Sequence, residues 1–282
     1  MITNSHIGKS GRLGNQLFQY AALKSLSLKK EYQLVLPNIR NANWHGQKCL
    51  LDKFNLDYNF NQINFTTNFS FYKESSGEFF DPEYFNLPDG VDILGHFQNL
   101  KYFEDYKEII CKELTPISYY QSQAKKLLYQ FKEFETVSVH IRRGDNITIN
   151  NQNIFGKDPL ILDPTSFWTQ YFLKSKEFFK DKKVKYLIFT GGSRNNDDTD
   201  DYNWVKNNLD SNNHILFSTP DPILDYALIS NCNHNILSPS TSFGWWASYV
   251  NQNPNKIQIA PKNYFLNNSD SSRLFTKDYI LI

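Results

Sequence analysis

The C-terminal half of the chain alternates regularly between two hydrophobic patterns. Short segments with the period of a strand are followed by longer segments with apolar residues at helical spacing. The predicted strands are 136–141, 184–189, 214–217, 234–237 and 256–260, and the predicted helices are 166–180, 201–209, 222–230 and 243–250. This order predicts a parallel sheet with crossover helices.

The pattern is weaker in the N-terminal half. Three glycines precede apolar residues at helical spacing from Leu17 to Leu28, which predicts a glycine loop and a helix that begins at about Asn15. The N–H groups at a helix start can face an anion or a sugar hydroxyl, although Asn is also a common helix cap. The other predicted elements are strands at 32–36 and 91–94 and helices at 104–113 and 118–131.

The charged stretch 132–135 separates these two patterns and is the predicted domain junction. A chain of 282 residues is long for one core and sufficient for two domains of ordinary size. We therefore expect an α/β protein with an N-terminal domain at 1–133 and a Rossmann-like, nucleotide-binding C-terminal domain at 134–282.

Composition excludes several classes of protein. Thirty basic residues against 29 acidic ones give a net charge of +1, which argues against general binding to nucleic acid. The three cysteines are widely spaced and form no metal or disulfide motif, which fits a reducing compartment. No stretch has the pattern of a signal peptide or a membrane span, so we expect a cytoplasmic protein.

Residues 137–145 carry the most concentrated chemistry. The predicted strand delivers His140, Arg142, Arg143 and Asp145 to its carboxyl end, where open α/β sheets bind ligands. Adjacent guanidinium groups suit phosphate oxygens, although an Arg pair also occurs in surface salt bridges and Arg-Gly-Asp is an adhesion tripeptide. Arg142 shares the alternation of His140 and should project from the strand face, whereas Arg143 lies at the turn.

Two further loops are expected at the same sheet edge, at 190–193 and 238–242. Their hydroxyl and N–H groups would suit phosphate, although capping of the following helix is the commoner use of such residues. The stretch 195–201 contains Asp198-Thr-Asp200, which would suit a divalent metal in a sugar-nucleotide enzyme. A solvated acidic loop is the preferred interpretation, because the Arg pair already supplies positive charge.

Three segments together resemble the bacterial α-1,2-fucosyltransferases of glycosyltransferase family 11. The similar segments are Gly11-Arg-Leu-Gly-Asn-Gln-Leu-Phe-Gln-Tyr-Ala-Ala22, His140-Ile-Arg-Arg-Gly-Asp145 and Ser240-Thr-Ser-Phe-Gly-Trp-Trp-Ala247, with lesser similarity at Gly95-His-Phe-Gln98 and at Asp225. The chain departs from the family pattern at Asn146, where Tyr is usual, at Ser240, where Asn is usual, and at Gly244, where Ser is usual. Residues 189–193 also replace the more usual Ser-Asp-Asp.

The resemblance implies the GT-B arrangement, in which two Rossmann-like domains face each other across a cleft. It implies that GDP-L-fucose binds mainly to the C-terminal domain without a metal or other cofactor, and that the N-terminal domain lies on the acceptor side. Arg142 would stabilise the departing β-phosphate, and Asp145 would orient the Arg pair or act as a base. Residues implied to contact the donor or its sugar are Arg12, Asn15, His140, Arg143, Asp225, Ser240, Thr241, Ser242 and Phe243.

The implied acceptor is the 2-hydroxyl of a terminal β-galactoside, on a surface polysaccharide such as O-antigen. A lipid-linked acceptor would bring the protein to the inner face of the membrane. Two other classes stay open from the residues alone. One is a lectin-like or adhesion protein, and the other is a metal-dependent glycosyltransferase that uses Asp198 and Asp200.

Overall fold

A computed structural model describes residues 1–39, 42–58, 69–75, 79–143, 164–191, 199–209, 214–264 and 270–282. The chain divides into two compact units, called unit 1 and unit 2 below. Unit 1 is Met1–Ile117 with Ser272–Leu274, and unit 2 is Ser118–Ser271 with Phe275–Ile282. The division precedes the predicted junction at 132–135, because the helix that begins at Ser118 packs against helix Pro222–Asn231.

Unit 1 is built around a small parallel sheet. Its elements are β1 (Ile2–Thr3), α1 (Leu13–Lys30), β2 (Asn43–Trp44), β3 (Gln47–Lys48), β4 (Ser70–Lys73), β5 (Val91–Leu94) and α2 (Lys107–Glu113). The sheet has the order β1-β5-β4, and β2 and β3 form a separate antiparallel pair. The prediction of β5 is confirmed, whereas the strand predicted at 32–36 is only an isolated bridge between Leu34 and Ile2.

Unit 2 contains a six-stranded parallel sheet. Its elements are α3 (Ser118–Leu128), β6 (Glu135–Ile141), α4 (Pro164–Glu177), β7 (Val184–Thr190), α5 (Thr199–Asn208), β8 (His214–Leu216), α6 (Pro222–Asn231), β9 (His234–Ile236), α7 (Ser242–Tyr249), β10 (Gln258–Ala260) and β11 (Tyr279–Leu281). The strand order is β11-β10-β9-β6-β7-β8, and the neighbouring strands are parallel. The predicted alternation is therefore confirmed, with β11 as an additional edge strand.

Strand β6 lies in the middle of this sheet and is buried on both faces. Val137, Val139 and Ile141 join a core with aromatic residues of α4, while Ser138 and His140 are also buried on the opposite face. A parallel strand covered by helices on both sides has no solvent face, which explains why its polar residues are buried as well. Ile141 is paired with Thr190, so β6 and β7 end at the same level.

Candidate active site

Arg142 is the first residue beyond β6, and it is held by groups from the two neighbouring strand ends. Its backbone N–H donates to Ser238 Oγ at 2.9 Å, and its Nη1 donates to the carbonyl of Gly191 at 2.7 Å. Ser238 follows β9 and Gly191 follows β7, so both contacts cross the carboxyl edge of the sheet. The guanidinium is thus fixed at the edge where α/β sheets bind ligands.

The neighbouring strand ends are also bonded to one another. Thr190 Oγ1 donates to the carbonyl of Ile141 at 2.9 Å. Ser218 Oγ, beyond β8, accepts from the N–H of Thr190 at 2.7 Å and donates to its carbonyl at 2.9 Å. These bonds connect the ends of β6, β7 and β8 beside Arg142. Ser218 was missed by the sequence analysis, although its place directly after a predicted strand was a usable signal.

Arg143 turns toward helix α5. Its guanidinium carbon lies 4.3 Å from the centre of the Trp204 ring, and its Nε is 3.6 Å from Asp201 Oδ1. Nε and Nη1 are buried and have no hydrogen-bond partner among the described residues. Asp201 is itself buried, so the end of the acidic stretch is not solvated as expected. Arg143 therefore has cation–π support from Trp204, together with two buried nitrogen atoms that have no hydrogen-bond partner among the described residues.

His140 is a buried neutral imidazole behind this edge. Burial, with the charge of Arg142 as a smaller cause, lowers its pKa to about 3. Its ring lies 5.6 Å from the Phe243 ring, centre to centre. A Cβ atom on Gly244 would lie only 2.5 Å from His140 Nδ1, so this approach requires glycine. The glycine that stands at 244 in place of the family's usual Ser therefore leaves room for the imidazole of His140.

The loop before α7 is shaped by its own cap and by Tyr264. Thr241 is the N-cap of α7, and its hydroxyl accepts from the N–H of Gly244 at 3.4 Å. Tyr264 OH accepts from the Thr241 N–H at 3.2 Å and donates to the Thr241 carbonyl at 2.6 Å. Ser242 and Phe243 form the first turn of α7. The capping role considered for this loop is confirmed for Thr241, and Tyr264 was missed because no pattern marks it.

Ser240 has a left-handed backbone, with a φ of +49°. Its N–H donates to the carbonyl of Tyr264 at 2.7 Å. Asn adopts this conformation several times more readily than most other residues, which gives a physical reason for the Asn that the family usually has here. Asp225, on α6, is buried, and its Oδ1 accepts from the N–H of Thr219 at 2.7 Å. It therefore supports the loop that leads from β8 to α6.

The candidate residues of unit 1 lie at the start of α1. The helix begins at Leu13, two residues earlier than expected, and Arg12 is its N-cap residue. Asn15 is thus in the first turn and is not the cap. Its Oδ1 accepts from Gln98 Nε2 at 3.0 Å. This bond connects two of the segments that resemble the family, and Gly11, with a φ of +79°, allows the close packing of Asn15.

Several expectations fall on residues outside the described ranges. Asp145, Asn146, Asp198 and residues 192–193 are among them. Within the described ranges, no group of three or more His, Cys, Asp or Glu side chains is arranged to hold a metal ion. In the same ranges, no helix combines the length and apolar character needed to cross a membrane.

Comparison with known proteins finds one matching family model and several similar glycosyltransferases. The model of glycosyl transferase family 11 matches residues 2–281. An α-1,2-colitosyltransferase of Escherichia coli is 29% identical over an alignment 285 positions long, with 91% of this chain and 90% of that protein covered. The O-antigen biosynthesis glycosyltransferase WbnK of Escherichia coli is 24% identical, with 93% of this chain and 95% of that protein covered. Galactoside α-(1,2)-fucosyltransferase 1 of Oryctolagus cuniculus is 25% identical, with 86% of this chain and 63% of that protein covered.

Solved structures show a related fold at low sequence identity. The fucosyltransferase NodZ from Bradyrhizobium has a TM-score of 0.51 at 14% identity, with 87% of this chain and 91% of that chain covered. POFUT1 in complex with GDP has a TM-score of 0.54 at 13% identity, with 92% and 97% covered. The fold is accordingly α/β and GT-B-like. Because the family model spans nearly the whole sequence, the chain belongs to glycosyl transferase family 11.

Proposed function

We propose that this protein is an inverting glycosyltransferase that moves L-fucose from GDP-β-L-fucose to the 2-hydroxyl of a terminal β-galactoside. The observation that carries the proposal is the guanidinium of Arg142, fixed at a sheet edge between two neighbouring strand ends in a chain of this family. The similarity to a galactoside α-(1,2)-fucosyltransferase supports the linkage, and the likeness in fold to POFUT1, which was solved in complex with GDP, supports a GDP-linked donor.

The reaction is a single displacement at the anomeric carbon of fucose. The acceptor oxygen forms a bond to this carbon, the bond from the carbon to the β-phosphate oxygen breaks, and GDP leaves with the electron pair. The acceptor proton must pass to a base, and Asp145 is the candidate for that role. Because negative charge grows on the β-phosphate as GDP leaves, fixed positive groups that face this phosphate lower the barrier.

Arg142 is proposed to supply that charge. The bond to Gly191 and the backbone bond to Ser238 hold the guanidinium in place before substrate arrives, so little reorganisation accompanies the reaction. Arg143, with buried N–H groups and Trp204 behind it, is proposed to hold the diphosphate. On this basis the reaction needs no metal, and activity should persist in EDTA.

The other candidate residues have supporting roles in the proposal. His140 would face the guanine or ribose as a neutral imidazole, since burial lowers its pKa and disfavours the charged form. Ser240, Thr241, Ser242 and the Phe243 N–H would cradle the phosphates, and Asp225 would support the adjoining loop. Arg12 and Asn15 would contact the sugar or its leaving group.

The acceptor is proposed to be part of a surface polysaccharide. The similarity to an O-antigen biosynthesis glycosyltransferase supports this class of acceptor. Assembly of such a glycan on a lipid carrier would place the reaction in the cytoplasm at the inner face of the membrane.

A colitosyl donor is a second candidate, favoured by the similarity to an α-1,2-colitosyltransferase. Colitose is fucose without its 3-hydroxyl group, so the two donors share the diphosphate chemistry described above. A site that binds the 3-hydroxyl through buried polar groups discriminates strongly against the donor that lacks it, whereas an apolar site discriminates weakly in the other direction.

The test is a donor competition followed by linkage analysis. The purified full chain is incubated with a terminal β-galactoside and equal GDP-fucose and GDP-colitose, with manganese or with EDTA, and the products are separated by mass. We expect fucose on the 2-hydroxyl and equal rates in EDTA. Exclusive colitose transfer selects the second candidate, and loss of turnover in EDTA with recovery in manganese contradicts the metal-free reaction. Absence of both transfer and GDP binding supports the lectin-like or adhesion protein.

A further inference from the structure

A tight turn at residues 97–99 carries Gln98, the partner of Asn15. The N–H of Asn99 donates to the carbonyl of Phe97 at 2.8 Å, which closes a three-residue turn with Gln98 at its tip. Phe97 has a φ of +52°, an uncommon conformation for a residue other than glycine. Its ring is fully buried against Tyr84 and Tyr102, so neighbouring groups hold this strained backbone in place.

Glu74 binds the backbone of this turn. It follows β4, is 8% exposed, and its Oε2 accepts from the N–H groups of His96 at 2.8 Å and Phe97 at 3.0 Å. The approach is close enough to require glycine at 95, because a Cβ there would lie 2.5 Å from Glu74 Cβ and 2.7 Å from Oε2. Burial of a carboxyl group is costly unless donors such as these two N–H groups bind it.

The turn connects the carboxyl group to the candidate sugar-side residue. The Glu74 carboxyl fixes the turn at Phe97, and on the far side Asn99 Oδ1 caps the following helical turn by accepting from the N–H of Lys101 at 3.0 Å. Gln98, held between these anchors, donates to Asn15 at 3.0 Å. Because Gln98 donates to the side-chain oxygen of Asn15, the amino group of Asn15 lies on the other side of its amide and faces away from Gln98.

We propose that Glu74 is a positioning residue for glycosyl transfer: it holds the turn at 97–99 so that Gln98 orients the side chain of Asn15 toward the sugar. The inference rests on the role given to Asn15 in the proposed function. It adds a residue outside the family-like segments, and it assigns Gln98 a purpose within its segment.

The acceptor atom of Glu74, rather than its charge, is what the turn requires. Burial raises the pKa of Glu74 above its usual value, with the bonds from Phe97 and His96 acting in the opposite direction. Both N–H groups bind one oxygen, and the amide oxygen of glutamine can accept them in the same way. Glu74→Gln is therefore the conservative variant, and Glu74→Ala removes the contact.

The experiment is a double-mutant cycle on the full chain, with the sugar nucleotide that the wild type turns over. We expect Glu74→Ala and Asn15→Ala each to lower kcat by up to about 10²-fold, the scale of a displacement of about 1 Å at the reacting groups. The double variant should lose no more than Asn15→Ala alone, because both changes remove the same orientation. Glu74→Gln, in contrast to Glu74→Ala, should keep most of the wild-type kcat.

A matched control separates positioning from stability. Glu113 is a buried carboxyl of the same unit that bonds to Tyr20 and, at 2.8 Å, to Lys24, and neither partner belongs to the turn. Glu113→Gln should lower Tm and leave kcat per folded molecule unchanged. Additive losses in the double variant, or a loss of kcat in Glu113→Gln equal to that in Glu74→Ala, would overturn the inference.

Hydrogen exchange of the peptide covering 95–99 tests the contact without turnover. The amides of His96 and Phe97 should be protected in the wild type and in Glu74→Gln, and should exchange fast in Glu74→Ala. Unchanged protection in Glu74→Ala overturns the inference whatever the activity. If the wild type transfers neither fucose nor colitose, the proposed function fails, while exchange still decides whether Glu74 holds the turn.

Discussion

The candidate residues of the two units are held in place by different means. In unit 2, Arg142, Gly191, Ser218 and Ser238 all lie just beyond the ends of regular parallel strands, and they are bonded across the sheet edge. In unit 1, Asn15 is oriented by Gln98 on an irregular turn, which is anchored by a carboxyl group from another segment. The first arrangement follows from backbone pairing and the second from individual side chains.

This difference predicts how each region responds to substitution. A strand end keeps its place when one side chain is altered, because the hydrogen bonds of the ladder are unchanged, so substitutions there should change chemistry more than structure. An irregular turn depends on a few bonds, so substitutions at Glu74 or Gly95 should displace the groups that follow.

Arg142→Lys should lower kcat by about 10²-fold or more, the scale for one lost transition-state donor. Lysine keeps the charge but loses the planar group that bonds to Gly191, so it is no longer fixed toward the phosphate. The measurement is kcat and donor KM at saturating acceptor, with Tm expected to change little.

Arg143→Lys is the control for this effect. A lysine at 143 cannot stack on Trp204 as the guanidinium does, so this substitution should mainly raise the donor KM. Equal losses of kcat at both positions, or a change confined to donor KM at 142, would show that the leaving-group contact belongs to Arg143.

Gly244→Ala should destabilise unit 2 by about 1–3 kcal/mol, the usual cost of overpacking. The new methyl would meet the imidazole of His140 at 2.5 Å, inside a helix where alanine is otherwise preferred to glycine. In a His140→Ala background the same change should be neutral or stabilising. Thermal unfolding of the four proteins measures this, and an equal loss in both backgrounds would contradict a clash with His140.

Lowering the pH should have opposite effects on the stability that His140 contributes in unit 2 and on the stability that Glu74 contributes in unit 1. The folded pKa of His140, about 3, lies below its ordinary 6.5, so its contribution to stability is complete above pH 6.5 and is lost as the pH falls toward 3. Burial raises the pKa of Glu74 above 4.5, against the smaller opposing effects of its hydrogen bonds and of the charge of Arg273. Its contribution is therefore complete below pH 4.5 and is lost as the pH rises through the folded pKa.

Urea unfolding between about pH 4 and 7 tests this contrast, with a slope of up to about 1.4 kcal/mol per pH unit from one group. The stability advantage of wild type over His140→Gln should shrink as the pH falls, whereas its advantage over Glu74→Gln should grow. If the free energy of unfolding of wild type and of one variant changes in parallel with pH, the substituted group is not a source of the pH dependence. His234, whose pKa burial also lowers, remains in both variants and does not affect the difference.

Ser240→Asn should stabilise the protein by less than about 1 kcal/mol. The backbone at 240 is left-handed, and asparagine tolerates that conformation better than serine. Ser240→Ala serves as the comparison, because alanine gains nothing in this conformation. A lower Tm for Ser240→Asn would indicate that serine makes a contact that the larger side chain cannot replace.

The sequence alone determined the architecture of unit 2 and the location of its candidate edge. Strand and helix periods repeat there without interruption, and parallel pairing then requires that residues 142, 191 and 238 meet at one edge. The motifs that resemble family 11 could also be recognised from the sequence, because each motif is contiguous in the chain. Asp145 lies outside the described residues, so its role stays a prediction.

The tertiary structure decided what lies behind those motifs. The stacking of Arg143 on Trp204, the approach of Gly244 to His140 and the link from Glu74 through Gln98 to Asn15 all join residues that are distant in the sequence. Strands β1 and β4 also escaped prediction, because β1 has only two residues and β4 shows no alternation of buried and exposed positions. Such contacts depend on how distant segments pack, and no local pattern of hydrophobic or polar residues encodes that packing.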